Sequence, residues 1–135
     1  YMYMDKGNSV TFALENISLN KIHFELTDNF SYGDLEFNIE LGYKEDEAEY
    51  LEKKLVSLRA HIVGGMEGAP VDILLFSVIR VSTNEQPYKK LVEESMGELA
   101  KPILNKASNL ISNLYSEVGV MPTVIDLYQL YSQQK

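Results

Sequence analysis

Residues 102–115 read PILNKASNLISNLY. Ile103, Leu104, Ala107, Leu110, Ile111 and Leu114 recur at helical spacing, while Asn105, Lys106, Ser108, Asn109, Ser112 and Asn113 occupy the opposite face. Pro102 suits the first turn of such a helix, where its missing N–H breaks no intrahelical bond. Gly119 and Pro122 discourage continuation past Tyr115. A helix this amphipathic has to lay its apolar stripe on another layer, and what precedes it in the chain is a series of strands.

Working back from that helix, residues 71–81 (VDILLFSVIRV) are almost continuously apolar and β-branched, which predicts a strand covered on both faces. Gly64-Gly65-Met66-Glu67-Gly68 reads as a flexible hairpin reversal. It follows a strand over 51–63 whose apolar face is Val56, Leu58, Ala60 and Ile62. Leu35, Phe37, Ile39, Leu41 and Tyr43 alternate with polar residues and glycine, predicting a strand with one wet face. Residues 44–49 are too polar to pack and read as a loop or an exposed strand end. Further back, Val10, Phe12 and Leu14 share one parity, Ile17 and Leu19 the other, and Ile22, Phe24 and Leu26 the first again. Period-2 geometry forbids such switches in a flat strand, so the pattern predicts bulges near Glu15–Asn16 and Asn20–Lys21. Residues 27–34 (TDNFSYGD) are turn chemistry carrying two aromatics.

Forward of residue 81, Pro87 opens a short helix over 88–100, and Pro102 is expected to bend the chain into the next. Thr123 is expected to cap a final helix over 124–133. Four strands followed by helices predict an α+β fold, a four-stranded antiparallel sheet with helices packed on one face.

Length and composition narrow the function. The 135 residues suffice for one domain with its own core, and 45% hydrophobic with 24% charged residues describes a folded chain. The balance of 20 acidic against 12 basic residues leaves a net charge of −8, the wrong sign for nucleic-acid backbones and anionic membranes. Cysteine is absent, which removes disulfides and thiolate-ligated metals and is compatible with a reducing cytoplasm. No apolar run nears the roughly 18 residues of a membrane span. No basic region followed by an apolar core marks a signal peptide. The chain begins at Tyr1, so residues 1–7 are expected to be a flexible N-terminus or a cloning remnant, with a single domain over 8–135.

No catalytic constellation stands out, and an enzyme is not expected. His23 and His61 fall on strands, and His61 with Arg59 reads as sheet surface. The acidic run Glu45, Asp46, Glu47 and Glu49 lacks the spacing and glycine of a calcium loop. The glycine-rich reversal lacks the following Gly-Lys-Ser/Thr of a phosphate loop. No cofactor or metal is expected. What is unusual is apolar surface in connections: Phe30 and Tyr32, Met66, then Val118, Val120, Met121 and Val124, with Tyr128 and Tyr131 beyond. These read either as an adaptable binding surface or as plugs of the core or of a subunit interface.

The order of these elements and several short motifs resemble the SecB-type protein-export chaperone family. They are Ile22-His23-Phe24-Glu25, Phe37-Asn38-Ile39-Glu40-Leu41, the hairpin, Leu99-Ala100-Lys101-Pro102-Ile103-Leu104, Gly119-Val120-Met121-Pro122 and Ile125-Asp126-Leu127-Tyr128. The resemblance implies a homodimer or homotetramer acting as an ATP-independent holdase. It would bind unfolded or precursor polypeptides in apolar grooves and pass them to the export motor SecA. It places polypeptide binding at Phe30, Tyr32, Leu35, Phe37, Ile39, Val120, Met121 and Val124, and SecA docking at Glu25. Lys21 and Ser77 stand at positions aligned with two further docking carboxylates. The alternative that this departure suggests is a dedicated adaptor on the same fold, binding one partner such as an antitoxin without SecA.

Overall fold

Strands form where the β-branched and aromatic runs lie, and the turns between them decide which strands become neighbours. In the computed structural model, which describes residues 10–31, 33–120 and 124–134, the sheet contains β1 (Phe12–Phe24), β2 (Glu36–Tyr43), β3 (Leu55–Met66) and β4 (Ala69–Val81). Its order is β1-β4-β3-β2, with every neighbouring pair antiparallel. Among the described residues three helices accompany the sheet: α1 (Ala48–Lys53), α2 (Tyr88–Glu117) and α3 (Leu127–Gln133). The fold is α+β, as the sequence pattern predicts.

The register of β1 against β4 slips between Leu14 and Asn16 and again between Leu19 and Lys21. These are the two places where apolar parity switches in the sequence. Each extra residue restores the next apolar side chain to the helix-facing side, opposite Ile79, Ser77, Leu75, Ile73 and Val71 in turn.

β3 continues through Gly64, Gly65 and Met66, so the reversal is a tight two-residue turn at Glu67 and Gly68. It is pinned rather than flexible. β1 and β2 lie on opposite edges, so the chain joining them crosses the sheet at this hairpin tip. It is laced there by Thr27 N–H donating to Gly68 O at 2.8 Å and Ser31 N–H to Glu67 O at 3.1 Å. Gly68 has φ of +80°, and a Cβ on it would lie 2.3 Å from the Phe30 nitrogen, so both backbone and space demand glycine. A Cβ on Gly65 would fall 2.1 Å from the Tyr115 hydroxyl. That hydroxyl accepts from Met66 N–H and donates to Ala69 O, both at 2.8 Å, fastening α2 to the hairpin. Burial pushes the Tyr115 phenol pKa up, which keeps the O–H available as a donor.

Four other expectations are corrected. Residues 88–117 form one helix with Pro102 inside it, not two helices with a bend between them. An internal proline costs a helix about 3 kcal/mol. Here residues on both sides are held down: Leu91, Val92 and Leu99 in one core cluster, Ile103, Leu104, Ala107 and Ile111 in another. A fully buried Leu or Ile stabilises by about 1.5–3 kcal/mol, so the two clusters together outweigh the lost bond. The segment read as a loop and early strand contains α1, six residues with Tyr50 fully buried and a left-handed Lys54 ending it. The final helix starts at Leu127 and is capped by Asp126, whose carboxylate accepts from Gln129 N–H at 3.0 Å; Thr123 lies outside the described residues. Finally, β4 is covered on one face only. Its odd residues from Ala69 to Val81 are buried under the helices, while Phe76 on the open face is 37% exposed.

Candidate functional site

The helical layer covers β3 and β4 and leaves the two edges differently clad. Along β2, the helix-facing residues Phe37, Ile39 and Leu41 run from half-buried to buried, and α3 stands beside them. Between them opens a groove of about 370 Å³, lined by Leu35, Phe37, Val124, Ile125, Asp126, Gln129, Leu130 and Gln133. β2 pairs with β3 alone, so its outer edge presents backbone donors and acceptors with no strand partner within the sheet.

α3 reaches this position through a short chain of polar contacts below a buried anchor. Leu127 is fully buried, and its N–H donates at 3.0 Å to Ser108 Oγ. The Ser108 hydroxyl in turn donates at 2.9 Å to Leu104 O, one turn back in α2. Seven residues do not make a self-sufficient helix, so α3 depends on this docking. Lys101 Nζ lies 5.6 Å from the Tyr128 ring centroid and adds a cation–π contact. Among the described residues the only charged one lining the groove is Asp126, which is occupied in capping. The groove is thus apolar at its centre, with amide side chains and an open strand edge at its rim.

Of the residues assigned to binding from sequence, Leu35, Phe37 and Val124 meet in this groove, and Val124 is 94% exposed. Ile39 lies on the same face of β2 but buried. Val120 is buried in the core, and Phe30 packs half-buried by the hairpin tip. Tyr32 and Met121 lie outside the described residues. Ile125, Gln129, Leu130 and Gln133 were not assigned from sequence. Gln129 and Gln133 are four apart on a short helix, and that spacing was the available sign that they share a face.

The open face of the sheet carries a polar row across all four strands. Lys21 on β1 meets Asp72 on β4 at 3.0 Å, Asp72 meets His61 on β3 at 2.8 Å, and His61 faces Glu40 on β2 at 3.6 Å. The Lys21 ammonium, then His61, hold the Asp72 carboxyl below the ordinary carboxylate range. His61 is therefore tied into the sheet surface. Glu25 is exposed just beyond β1, whereas Ser77 is buried on the helix side, its hydroxyl without a partner among the described residues. Among the described residues no three His, Asp or Glu side chains gather as metal ligands, and no helix is long and apolar enough to cross a membrane.

No protein-family model matches the chain, and no curated protein matches it. Its fold does match solved structures. One is a SecB-like chaperone of Mycobacterium tuberculosis in complex with a ChAD peptide from the HigA1 antitoxin. The match has a TM-score of 0.63 and 11% identity, over 84% of this chain and 88% of that one. Another is a protein of unknown function from Streptococcus agalactiae, with a TM-score of 0.51 and 14% identity, over 87% of this chain and 97% of that one. At these identities what is shared is the fold, and it is the SecB-like fold that the order of elements resembles.

Proposed function

We propose that this chain is an ATP-independent chaperone that holds non-native polypeptides in the groove between β2 and α3. The observation that carries the reading is an unpaired strand edge running beside an apolar trough. A non-native chain exposes the same two things, unsatisfied backbone and apolar side chains, and an extended segment laid along β2 satisfies both together. Alternate side chains of that segment enter the trough against Leu35, Phe37 and Leu130, while the others face solvent. Each apolar side chain taken from water contributes up to about 1.5–3 kcal/mol, and backbone pairing adds affinity without reading sequence. Gln129 and Gln133 offer donors and acceptors that suit many client backbones. No bond is made or broken in this work, so the chain is a binder and not an enzyme. The net charge of −8 keeps it dispersed and favours basic clients.

The assembly belongs to the same reading. β1 is the other free edge, and Leu14, Leu19 and Ile22 on its helix-facing side are 47%, 43% and 42% exposed. A groove between β1 and α2, lined by Phe12, Leu14, Ile79, Leu99 and Pro102 among others, runs beside them. A second copy of the chain is the occupant that would cover this edge, giving a homodimer or a dimer of dimers. The cytoplasm is the compartment assigned.

The second reading is a dedicated adaptor with one partner. It is favoured by the neighbour's antitoxin peptide and by Lys21, whose ion pair with Asp72 puts a cation where SecA docking would want a carboxylate. Delivery to SecA through Glu25 belongs to the first reading alone. The separating experiment measures aggregation of several unrelated denatured proteins with and without the chain. Protection of most of them supports the general holdase. Protection of none, with one partner recovered from cells, supports the adaptor.

A further inference from the structure

The open face of the sheet holds a second groove, of about 390 Å³, lined by Gly42, Tyr43, Lys44, Ser57, Leu58, Arg59 and Phe76. Its origin is a missing side chain. Gly42 is the residue of β2 directly opposite Arg59 on β3, and Phe76 on β4 stands opposite Arg59 on the other side. The glycine leaves a notch into which the guanidinium leans: a Cβ on Gly42 would lie 3.4 Å from Arg59 Nη2. Among the described residues the two charged ones lining the groove, Lys44 and Arg59, are cationic, in a chain of net charge −8. Lys44 is paired with Glu49 at 3.0 Å. Arg59 is not: among the described residues its guanidinium has no carboxylate or other hydrogen-bond partner, although Lys21, Lys44 and Arg80 nearby on the same sheet are all paired.

We propose that this groove is a docking site for an acidic segment of a partner protein, in which a carboxylate pairs with Arg59 and a neighbouring apolar side chain packs on Phe76. The chemistry selects that occupant. A guanidinium presents a planar fork that matches a carboxylate with two parallel hydrogen bonds. The exposed Phe76 ring and the half-buried Leu74 and Val78 beside it supply an apolar strip along β4. Ser57 adds a hydroxyl at the rim. One unpaired cation in the groove of an acidic protein does not suit a polyphosphate backbone, which requires several. The site shares no residue with the groove between β2 and α3, so it stands or falls separately from the function proposed there.

The test uses the full chain and the peptide fluorescein-Leu-Glu-Phe-Glu-Leu-amide, labelled at its N-terminus, with a second peptide in which both glutamates are glutamine. Binding is followed by anisotropy and mapped by amide shifts in isotope-labelled protein. The expected result is that the acidic peptide binds at least about tenfold tighter than its glutamine counterpart, the difference falling as salt is added. Shifts should centre on residues 42–44, 57–59 and 76. Arg59→Gln should remove most of the preference, Arg59→Lys should restore part of it, and Gly42→Val should weaken binding by closing the notch. Arg59 is exposed on the sheet surface, so its two variants should keep the wild-type melting temperature. Equal binding of the two peptides, shifts confined to 36–39 and 124–133, or undiminished binding by Arg59→Gln would each overturn the proposal.

Discussion

The two edge strands of this sheet carry the same backbone liability and meet it in different ways. β2 is eight residues long, regular in register, and flanked by α3, which leaves a narrow trough beside the free edge. β1 is thirteen residues long, twice bulged, and its apolar side chains Leu14, Leu19 and Ile22 lie open beyond the reach of the helical layer. A trough with one short helix for a wall suits a transient, variable occupant. A long apolar edge suits a permanent one, because leaving it bare would invite aggregation. On this account the molecule separates its two uncovered edges by residence time: clients on β2, a second copy on β1.

The strongest way to break the comparison is to remove the wall of the β2 trough. Leu127→Ala deletes the buried anchor of α3 and should cost about 2–5 kcal/mol, with loss of client holding and retention of the proposed dimer. Thermal unfolding and aggregation assays check the two halves of that statement. The converse is the double substitution Leu14→Glu with Ile22→Glu, which should weaken self-association at least a hundredfold, about 3 kcal/mol, while monomers still bind an unfolded peptide. Sedimentation at a series of concentrations reads it. A finer cut is Val124→Asp. Being almost fully exposed, this residue should leave the melting temperature unchanged while lowering client affinity by about tenfold, measured by fluorescence anisotropy.

The smallest effects separate the edges by pH. β1 is tied to β4 across the open face by Lys21–Asp72 and by Arg80 with Glu15. The pKa values of both carboxyls are held below normal, Asp72 first by the Lys21 hydrogen bond and Glu15 by Arg80. Their stabilisation is present above the ordinary carboxylate range and is lost as the pH falls through the lowered values, so acid should loosen β1 first. These pairs are exposed, so the effect is slight. The end of β2 is held instead by Tyr43 against Tyr88, ring centroids 5.8 Å apart, with the Tyr88 hydroxyl donating to Lys44 O. Burial, then Tyr43 and the nearby carboxylates, pushes the Tyr88 phenol up to about 12. The folded state therefore keeps a proton that the unfolded state has released, and stability falls as pH rises from the ordinary phenol value towards 12. Alkali should loosen β2 first. Amide exchange rates at the two pH extremes test the pair of statements, and Tyr88→Phe should flatten the alkaline slope.

Sequence periodicity carried the sheet well because each strand has one buried face, and a parity switch cannot be hidden in such a strand. That is why both bulges of β1 are legible in the sequence. The helices were harder to read. Pro102 argues locally for a break, yet long-range burial on either side of it holds α2 continuous. α1 is too short to show a period, and only the burial of Tyr50 reveals why it exists. The groove is half legible: Leu35 and Phe37 read as the apolar face of a strand, and Val124 as an apolar residue in a connection. Val120 reads the same way as Val124 and is core, since exposure is a property of packing that composition does not encode. The notch at Gly42 had no sequence signal, because it arises from an absent side chain two strands away from Phe76.

The most direct test of the account is hydrogen exchange of the full chain, alone and saturated with an unfolded client that supports binding. The account predicts new protection of amides in 36–43 and 124–133 on client addition, with β1 already protected in the free protein and unchanged. Protection appearing along β1, or client binding that leaves the β2 amides exchanging as before, would contradict it.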